Sequence, residues 1–538
     1  MNKLAPLLIA GCAPVLACNA LQSAENKTNF VVITADDMNY NSVGCFGAKM
    51  KNLTPNIDKL ASQGIRFTNA HVASTVCMPS RNAINSGRLP HRSGGEGFQY
   101  FRFPDIPTIP NVLTSNGYMV GVLGKVSHST PYKDTPWDFA EETARNTEVF
   151  YTKTAGFIDS AKKAGKPFYF IINSHDPHRR YYNIKNAGKE MIKCKEGNRN
   201  SHPSRVIKLE ETIIPDFMAD TPEIRHELAC YYSSVVRCDD VVGRIMDLLK
   251  EKGVVDNTVV FFLSDHGVGM PHAKANAYIN STKTPFIVRW PRHIKPHSVH
   301  SDNFISTMDI FPTILQIAGI KSPGNVDGES LIPVFEGKKL KNRDKMGTQF
   351  YATIGKAIYN MRTFQDKHFA FIFNPFCTGK RTYKSSALGG ACFKAMMQDP
   401  KYKERCEFIL RRVPEEFYDI EKDPACQKNL INNIEYVGII KEFRKLMQDN
   451  MEKTDDPMLA VFDAYQKNHS VDKMHKQFLE TIEESGQIGR DPKIVNIARW
   501  TDPDYKKKKR NAKRNKKKLT DLERKARRKA QRESKEKL

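Results

Sequence analysis

The sequence of 538 residues has no internal repeat, and its 11 cysteines form no CxxC pair. A repeat would indicate a solenoid or a propeller, and paired CxxC motifs would indicate a structural zinc site. After the N-terminal segment, no apolar run approaches the ~20 residues that a membrane-spanning helix needs. These absences predict a soluble or surface-tethered globular protein without a zinc knuckle.

The N-terminal segment, MNKLAPLLIAGCAPVLACNA, contains one lysine, an apolar run interrupted by glycine and proline, and then small residues. This order is typical of a secretory signal peptide. Residues 15–18, VLAC, also resemble a bacterial lipoprotein cleavage box in which Cys18 carries the lipid. We expect a leader over 1–24 and an exported protein that is periplasmic, extracellular or lipid-anchored at the cell surface. Such compartments permit disulfides, with Cys377 and Cys392 as the expected pair.

The net charge of +24 is unevenly distributed along the chain. Residues 501–538 hold 18 Lys and Arg against 6 Asp and Glu, so this segment carries +12 and the first 500 residues carry the other +12. Basic runs bind polyanions largely through counterion release. For an exported chain we expect no nucleic acid, so an acidic polysaccharide or an anionic cell surface is one interpretation of the tail. A solubilising extension is the other.

Four apolar runs rich in Val, Ile and Phe end abruptly in polar or charged residues. They cover residues 29–37, 116–128, 166–178 and 257–267. Helical patterns lie between them, for example at 54–64 and 233–253. Strands that alternate with helices predict an α/β fold with a large, mostly parallel sheet flanked by helices. Ligands bind such sheets beyond the carboxyl ends of the strands.

The C-terminal third has a different pattern, with short alternating strands followed by a polar segment that becomes rich in Lys and Arg beyond Tyr505. We predict an α/β domain over 25–345 and a smaller C-terminal α+β domain with an antiparallel sheet over 346–455. The remaining residues, 456–538, are predicted to form a polar, Lys/Arg-rich tail.

Two acidic clusters follow the predicted strands. Asp36 and Asp37 end the first apolar run, and Asp265 and His266 end the fourth. Because adjacent carboxylates repel each other unless a cation holds them, a hard metal ion such as Ca²⁺ is a suitable partner. The alternative is that each cluster is an acidic turn or a helix cap. Together, three carboxylates and one imidazole would fill most of a coordination shell.

Basic groups follow the same strands. Lys125 and His128 follow the second run, His175 and His178 follow the third, and Lys274 lies after the fourth. Taken singly, each is more typical of a solvated lysine or a structural histidine. Grouped beside a metal ion at one sheet edge, they would stabilise charge that develops on a sulfuryl or phosphoryl group.

The stretch CMPSRNAINSGR, from Cys77 to Arg88, resembles the sulfatase signature C-x-P-S-R-x-x-x-x-x-G-R at every fixed position. In that family a maturation enzyme converts the cysteine to formylglycine, whose hydrated aldehyde is the nucleophile. A geminal diol can expel sulfate by collapsing to the aldehyde, which a serine or cysteine ester cannot do. Ile84 and Ser86 replace the more usual Leu and Thr of the signature.

The resemblance covers residues 29–430 and is closest to the sulfamidase-like and iduronate-sulfatase-like branches. GKVSH resembles the Gly-Lys-x-x-His element of the family, and NSHDPHRR resembles the His-Asp-Pro-His-Arg segment of sulfamidases. SDHGVGMPHAKANAY is similar to the second metal loop, although His266 stands where many members have asparagine. The resemblance implies an alkaline-phosphatase-like fold.

The resemblance also implies a Ca²⁺ site and a set of catalytic roles. The implied metal ligands are Asp36, Asp37, Cys77 in its modified form, Asp265 and His266. Arg81 would hold the formylglycine, His128 would act as the base on the diol, and His175 would protonate the leaving group. The implied substrate contacts are Lys125, His175, His178 and Lys274.

On this basis we predict a sulfatase that removes sulfate, as an ester or a sulfamate, from a sulfated glycan or a glycosaminoglycan-type sugar. The expected partners are the sulfated saccharide and a formylglycine-generating or equivalent maturation enzyme, with no nucleic acid. Two alternatives stay open. One is a phosphonate or phosphate monoester hydrolase of the same superfamily, and the other is a polyanion-binding protein that acts through its basic tail.

Overall fold

The computed structural model describes residues 27–186, 192–193, 199–353, 357–379 and 381–486, with residues 504, 508, 510 and 511 beyond them. The leader predicted over 1–24 and nearly all of the chain after residue 486 lie outside these residues. Within the part that is described, no helix combines the length and the apolar character that crossing a membrane requires.

The secondary structure alternates between strands and helices through most of the first 320 residues. The strands are β1 Asn29–Asp36, β2 Ile65–Phe67, β3 Ala70–His71, β4 Met119–Leu123, β5 Phe139–Glu141, β6 Phe168–Pro177, β7 Ile192–Lys193, β8 Arg199–Asn200, β9 Thr258–Ser264, β10 Phe286–Arg289, β11 Ser298–His300, β12 Ile305–Ser306, β13 Met346–Ala352, β14 Ile358–Gln365, β15 Phe369–Phe373 and β16 Glu415–Asp419. The α-helices are α1 Pro55–Ser62, α2 Cys77–Ser86, α3 Pro90–Ser93, α4 Ile109–Ser115, α5 Thr147–Lys163, α6 Pro222–Glu251, α7 Ile279–Thr282, α8 Ile310–Ile317, α9 Ile332–Phe335, α10 Ala391–Gln398, α11 Lys403–Arg411, α12 Val437–Lys453, α13 Leu459–Asn468 and α14 Val471–Glu484.

The main sheet has eight strands in the order β11-β2-β10-β9-β1-β6-β4-β5. The strands from β9 to β5 run parallel to one another, whereas β10 runs antiparallel to both β9 and β2. All eight residues of the central strand β1 are buried, as expected for a strand that is covered on both faces. The predicted large, mostly parallel sheet flanked by helices is confirmed.

Alternate side chains of β1 enter two separate cores, because successive residues of a strand point to opposite faces of the sheet. Val31 and Ile33 pack in the core that includes α5 and α6. Phe30 and Val32 pack in the core that includes α4 and α8. Since helices cover both faces, the edge where the parallel strands end is the part of the sheet available for a ligand site.

The strand register brings the carboxyl ends of β1, β6 and β9 to the same edge. Ala35 of β1 pairs with Ser264 of β9, and Asp36 pairs with Pro177 of β6. β4 lies on the other side of β6 and runs parallel to it. The polar residues that follow these strands therefore leave the sheet from one edge.

A second sheet, in the order β13-β14-β15-β16, is antiparallel throughout. Helices α12 and α13 pack on it through aromatic side chains. The ring of Phe443 in α12 lies 5.6 Å from that of Phe417, and the ring of Phe462 in α13 lies 5.0 Å from that of Phe373. The predicted smaller antiparallel sheet is confirmed.

The structure corrects the predicted start of the polar tail at residue 456. Helices α13 and α14 continue the packed chain to Glu484, with Phe462, Met474 and Phe478 fully buried. These helices are amphipathic, so their overall polar composition conceals an apolar stripe at helical spacing.

The predicted disulfide between Cys377 and Cys392 is wrong. All eight cysteines in the described residues are free. The Cys392 thiol instead donates a hydrogen bond to Glu227 Oε2 at 2.7 Å. Proximity in sequence was the basis of that expectation, and it does not fix the separation of two side chains in a fold.

Candidate active site

The signature segment forms the buried helix α2, which begins at Cys77. Ser80 Oγ donates a hydrogen bond to the carbonyl oxygen of Asp265 at 2.7 Å and so ties the first turn of the helix to the end of β9. Gly87 ends the helix at φ +63°, where a Cβ would lie 3.0 Å from Phe311, so glycine is strongly favoured. The fixed residues of the signature thereby hold Cys77 at the carboxyl edge of the sheet.

Three buried carboxylates meet beside Cys77. Asp36 ends β1, Asp37 follows it, and Asp265 follows β9. The Asp37 N–H donates to Asp265 Oδ1 at 3.1 Å from a left-handed turn at φ +66°, a conformation that aspartate and asparagine adopt more readily than most residues. His266 Nε2 lies 3.5 Å from Asp37 Oδ1 and 3.6 Å from Asp265 Oδ1. Four predicted metal ligands therefore face one another.

The side chains of this cluster are close enough to share one cation. In the described parts of the chain, one group of ligand atoms within 4.8 Å of one another comes from Asp36, Cys77, Asp265 and His266, and another comes from Asp36, Asp37, Cys77 and His178. Carboxylate oxygens are the donors that Ca²⁺ and Mg²⁺ prefer, and a cation would offset the repulsion among the carboxylates. The donor set fits a hard divalent metal ion.

Two lysines pair with the carboxylates. Lys125 Nζ lies 2.6 Å from Asp36 Oδ2, and Lys274 Nζ lies 2.6 Å from Asp37 Oδ1. Burial alone raises the pKa of Asp36, but the charges of Lys125 and Arg81 outweigh burial and hold this pKa well below its ordinary value. A similar balance, with Lys274 among its contributors, lowers the pKa of Asp37. Both aspartates are therefore ionised at neutral pH.

Arg81 is buried and uses its donors to join the strand ends. It donates from Nη2 to Asp265 Oδ2 at 2.9 Å and from Nη1 to Thr34 Oγ1 at 2.7 Å. Nη1 also donates to Asn173 Oδ1, and Asn173 Nδ2 donates to the carbonyl oxygen of Gly124 at 2.7 Å. Arg81 thus links α2 to the ends of β1, β6 and β9.

Cys77 Sγ lies at the centre of these groups. It is 3.3 Å from both Lys274 Nζ and His266 Nε2, and 3.6 Å from Asp36 Oδ1. Burial raises the pKa of the Cys77 thiol well above its ordinary value, despite the neighbouring lysine. Since a cysteine nucleophile needs a lowered pKa and a thiolate, the unmodified side chain is poorly suited to attack.

His128 and His175 lie near Lys125. The rings of His128 and Phe98 meet edge to face with their centroids 5.7 Å apart, and His175 Nε2 lies 3.8 Å from Glu142 Oε2. Burial, helped by the charge of Lys125, lowers the pKa of His128 to about 3 and that of His175 to about 4. Both imidazoles are therefore neutral at neutral pH and able to accept a proton.

His178 lies with the carboxylates, since its Nε2 is 3.8 Å from Asp37 Oδ2. The structure places every predicted site residue at the carboxyl edge of the main sheet. These residues are Asp36, Asp37, Cys77, Arg81, Lys125, His128, His175, His178, Asp265, His266 and Lys274. The fold therefore brings the acidic and the basic residues that follow the strands together at one place.

Asn173 and Glu142 contact the site but were not predicted from the sequence. Asn173 is the first polar residue after the apolar run of β6, within NSHDPHRR, so the same rule that selected its neighbours could have found it. A third missed contact is the buried ion pair between Arg237 Nε and Asp176 Oδ2, at 2.7 Å, which supports the last residues of β6 next to His175. Arg237 comes from the middle of α6, and no sequence spacing indicates that contact.

A further ion pair fastens the segment that leads into helix α10 beside the site. Arg179 Nη2 lies 2.8 Å from Glu227 Oε1, and Arg179 Nη1 donates to the carbonyl oxygen of Ser386 at 3.1 Å. Glu227 Oε2 also accepts a hydrogen bond from the backbone N–H of Cys392 at 2.9 Å. The segment after β6, helix α6 and the start of α10 are thereby joined next to His178.

Comparison with known proteins agrees with this geometry. The family model described as Sulfatase matches residues 28–320, and the model described as N-sulphoglucosamine sulphohydrolase, C-terminal, matches residues 270–376. The chain is 30% identical over 435 residues to an ulvan-active sulfatase of Formosa agariphila, which covers 80% of this chain and 81% of that protein. It is 27% identical over 492 residues to N-sulphoglucosamine sulphohydrolase of Homo sapiens, with 84% and 96% covered.

Solved structures share the fold. One that was determined in complex with its substrate D-glucosamine-2-N,6-O-disulfate matches with a TM-score of 0.60 at 19% identity, covering 80% of this chain and 98% of that one. The phosphonate monoester hydrolase of Agrobacterium radiobacter matches with a TM-score of 0.55 at 18% identity, covering 80% and 96%. The Sulfatase model spans more than half of the sequence, and the chain therefore belongs to the sulfatase family of sulfuric ester hydrolases.

Proposed function

We propose that the chain removes sulfate, as an ester or a sulfamate, from a sulfated amino sugar of a glycan, with Cys77 converted to formylglycine and Ca²⁺ held by the carboxylate cluster. The observation that supports this most strongly is the position of Cys77. Its Sγ lies within 3.6 Å of Lys274, His266 and Asp36, where a nucleophile is expected, yet burial keeps the thiol protonated. Conversion of the side chain to a different nucleophile reconciles the two facts.

The metal ion would be held by Asp36, Asp37 and Asp265, with His266 as a further donor. When bound, Ca²⁺ supplies positive charge that orients an anionic substrate group beside the nucleophile. Because Asp36 and Asp37 are ionised at neutral pH, a proton does not compete with the cation for these oxygens. Lys125 would keep Asp36 oriented through the 2.6 Å ion pair.

Formylglycine, as its hydrate, supplies an oxygen nucleophile and a second hydroxyl through which sulfate can be expelled. Lys125 and Lys274 place two ammonium groups near Cys77, where they can bind sulfate oxygens as negative charge develops. Neutral His128 can take a proton from the second hydroxyl. An anionic sulfate ester beside His175 raises the pKa of that imidazole, so that it can deliver a proton to the leaving group. The position of His178 against Asp37 favours an orienting role over a role at the leaving group.

The substrate class is supported by the relatives. The human relative is an N-sulphoglucosamine sulphohydrolase, and a C-terminal family model of the same description matches this chain. A structural neighbour was solved with a glucosamine disulfate as its substrate. The bacterial relative is active on ulvan. Together these favour a sulfated amino sugar that belongs to a polysaccharide.

The proposal includes export and maturation. The N-terminal sequence favours a secretory or lipoprotein leader, which would bring the enzyme to sulfated polysaccharides outside the cytosol. All ten residues of α2 are buried in the fold. A formylglycine-generating or equivalent enzyme would therefore need to act on Cys77 before the segment packs into the core.

Two assays test the proposal. Hydrolysis of 4-nitrophenyl sulfate and 4-nitrophenyl phosphate at equal concentration separates a sulfatase from a phosphatase, which the shared fold of the phosphonate monoester hydrolase makes the second candidate. We expect faster hydrolysis of the sulfate, and the reverse would contradict the proposal. Release of inorganic sulfate from glucosamine N-sulfate and glucosamine 6-sulfate then tests the substrate class, and no release from either sugar would exclude it.

A further inference from the structure

The proposed mechanism makes no use of Glu142, which follows β5 at the same sheet edge as the active site. β5 runs parallel to β4, with Glu141 opposite Leu123, so both strands end at this edge. The two carboxylate oxygens of Glu142 face different groups. Oε1 accepts a hydrogen bond from the backbone N–H of Val126 at 2.8 Å, and Oε2 lies 3.8 Å from His175 Nε2. One carboxylate thus connects the turn after β4 with the proposed proton donor.

The imidazole of His175 keeps one of its nitrogens inside the protein. The side chain is 18% exposed, but Nε2 is buried and has no hydrogen-bond partner within the described chain. Gly124 covers this nitrogen, since a Cβ on Gly124 would lie 3.4 Å from Nε2. A buried N–H without an acceptor costs free energy, so the carboxylate of Glu142 is the natural acceptor for Nε2–H. Nδ1 is then left to face the substrate.

A proton donor at this position needs negative charge beside it. Burial and the charge of Lys125 lower the pKa of His175 to about 4, so the imidazolium is disfavoured until an anionic group approaches. The substrate brings one such group, and Glu142 provides another from the protein. A carboxylate that accepts from one ring nitrogen fixes the tautomer and orients the ring. The gap of 3.8 Å is longer than a hydrogen bond, and catalytic hydrogen bonds often tighten only when substrate is bound.

We propose that Glu142 is the positioning residue of the proton donor, since its carboxylate accepts a hydrogen bond from His175 Nε2–H and leaves Nδ1 to protonate the leaving group. This inference rests on the proposed function and adds to it the group that orients His175. As the bond from sulfur to the leaving oxygen or nitrogen breaks, the proton on Nδ1 passes to that atom, and a neutral alcohol or amine departs. The proton on Nε2 stays in place and His175 becomes neutral. Glu142 itself exchanges no proton.

Two glutamine variants separate this role from a general effect of charge. Glu142→Gln keeps the shape of the side chain and an amide oxygen for the Val126 N–H, but its NH₂ group cannot accept a hydrogen bond from Nε2–H. Glu141→Gln is the matched control. The side chain of Glu141 is 41% exposed, close to the 49% of Glu142, and its Oε2 lies 2.7 Å from Lys153 Nζ. The control therefore removes the same charge one residue away, from a carboxylate that pairs with α5 instead of His175.

The test uses the full-length, matured enzyme and compares two substrates whose leaving groups differ. One is 4-nitrophenyl sulfate, whose nitrophenolate leaves without a proton. The other is the sugar that releases sulfate faster, glucosamine N-sulfate or glucosamine 6-sulfate. We expect Glu142→Gln to lower kcat for the sugar about tenfold, because the proton donor is no longer oriented, and to lower kcat for 4-nitrophenyl sulfate much less. Glu141→Gln should match the parent with both substrates.

A double variant shows whether Glu142 acts through His175. In a His175→Gln background, Glu142→Gln should cause no further loss of kcat with the sugar, because the group that it orients is already gone. Equal losses with both substrates, or a full additional loss in the double variant, would overturn the inference. So would a lower KM at unchanged kcat in Glu142→Gln, since the carboxylate would then only repel the anionic substrate. Failure of the parent to hydrolyse 4-nitrophenyl sulfate would instead count against the proposed function itself.

Discussion

Two groups of buried ionisable side chains flank Cys77. Burial disfavours the charged form of both, yet one group is charged and the other is neutral. Asp36 and Asp37 remain charged, because neighbouring cations outweigh the cost of desolvation. His128 and His175 remain neutral, because burial and the charge of Lys125 both disfavour their protonated forms. One site therefore holds permanent charges beside groups that can exchange protons.

The difference in charge comes from the side chains that pair with each group, and not from how deeply each group is buried. Asp36 has Lys125 at 2.6 Å, whereas His175 approaches Glu142 only to 3.8 Å. A tightly paired carboxylate keeps its charge through a reaction cycle and can hold a cation. A neutral imidazole without a close partner can take up and return a proton within the cycle. The carboxylates are thus suited to binding a cation, and the imidazoles are suited to proton transfer.

Removing a negative charge from the carboxylates should cause the largest loss of activity. Asparagine fits the left-handed turn at φ +66°, so Asp37→Asn removes the charge with little change in shape. We expect kcat to fall by about 10³-fold, because a pre-organised charge at the reacting group is lost. Bound metal, measured by elemental mass spectrometry, should be lost as well.

Asp456→Asn is the matched control, since Asp456 is equally buried and lies 2.6 Å from Arg362 in the C-terminal unit. It should destabilise the fold by about 3–5 kcal/mol but leave the metal content unchanged. If Asp37→Asn kept both its metal and its activity, Asp37 would have no place in the site.

Replacing either of the two neutral histidines should lower turnover while the metal stays bound. We expect His128→Gln and His175→Gln each to reduce kcat by about 10²-fold. The loss in His175→Gln should be smaller with 4-nitrophenyl sulfate than with a sugar sulfate, because nitrophenolate leaves without a proton. The loss in His128→Gln should be similar for both substrates. Equal losses in the His175 variant would contradict its assignment as the proton donor.

The same histidines should make the stability of the fold depend on pH. Their folded pKa values, about 3 and about 4, lie below the ordinary value of 6.5, so the unfolded chain takes up protons first as pH falls. Stability should therefore be lost as pH drops from about 6.5 towards 4. His71 and His272 are also buried with lowered pKa values, and they add to this loss.

Melting temperature measured across this range checks the prediction. A double variant, His128→Gln with His175→Gln, should show a shallower dependence on pH than the parent while retaining part of it. A slope as steep as that of the parent would show that these two imidazoles are not held neutral in the fold.

Replacing Asn173 should have the smallest effect, because this residue supports Arg81 and is not itself charged. Asn173→Ala leaves the buried Arg81 without one of its acceptors. We expect a loss of about 1–3 kcal/mol in the free energy of unfolding, measured with denaturant. We expect a decrease in kcat of no more than about tenfold, because Thr34 and Asp265 still hold Arg81. A loss as large as that of Asp37→Asn would assign Asn173 a direct role at the reacting groups.

The sequence predicted which residues meet at this sheet edge, because a parallel sheet gathers the ends of its strands. Asp36, Lys125 and Asp265 follow separate apolar runs, and a single topological rule is enough to bring them together. Arg237 and Glu227 are different, because both lie inside the long helix α6. Their contacts with Asp176 and Arg179, next to the site, depend on how that helix packs, and no local pattern records this.

The same reasoning explains the errors at the C-terminal end. Phe462 and Phe478 are buried in helices whose composition is mostly polar, so only their spacing could have shown that the chain still folds. Cys377 and Cys392 are near in sequence, but the second is held against Glu227. Side-chain direction, rather than sequence distance, decides such pairings.

The conversion of Cys77 can be measured directly on active enzyme. Trypsin releases residues 67–81, which contain Cys77, from the full-length protein produced in a host with a maturation enzyme. We predict that mass spectrometry shows an aldehyde in place of the thiol, and that the converted fraction is proportional to specific activity across preparations. Cys77→Ser offers no thiol for conversion and should be inactive in multiple turnover. Full activity in enzyme whose Cys77 is an unmodified thiol would contradict the formylglycine mechanism.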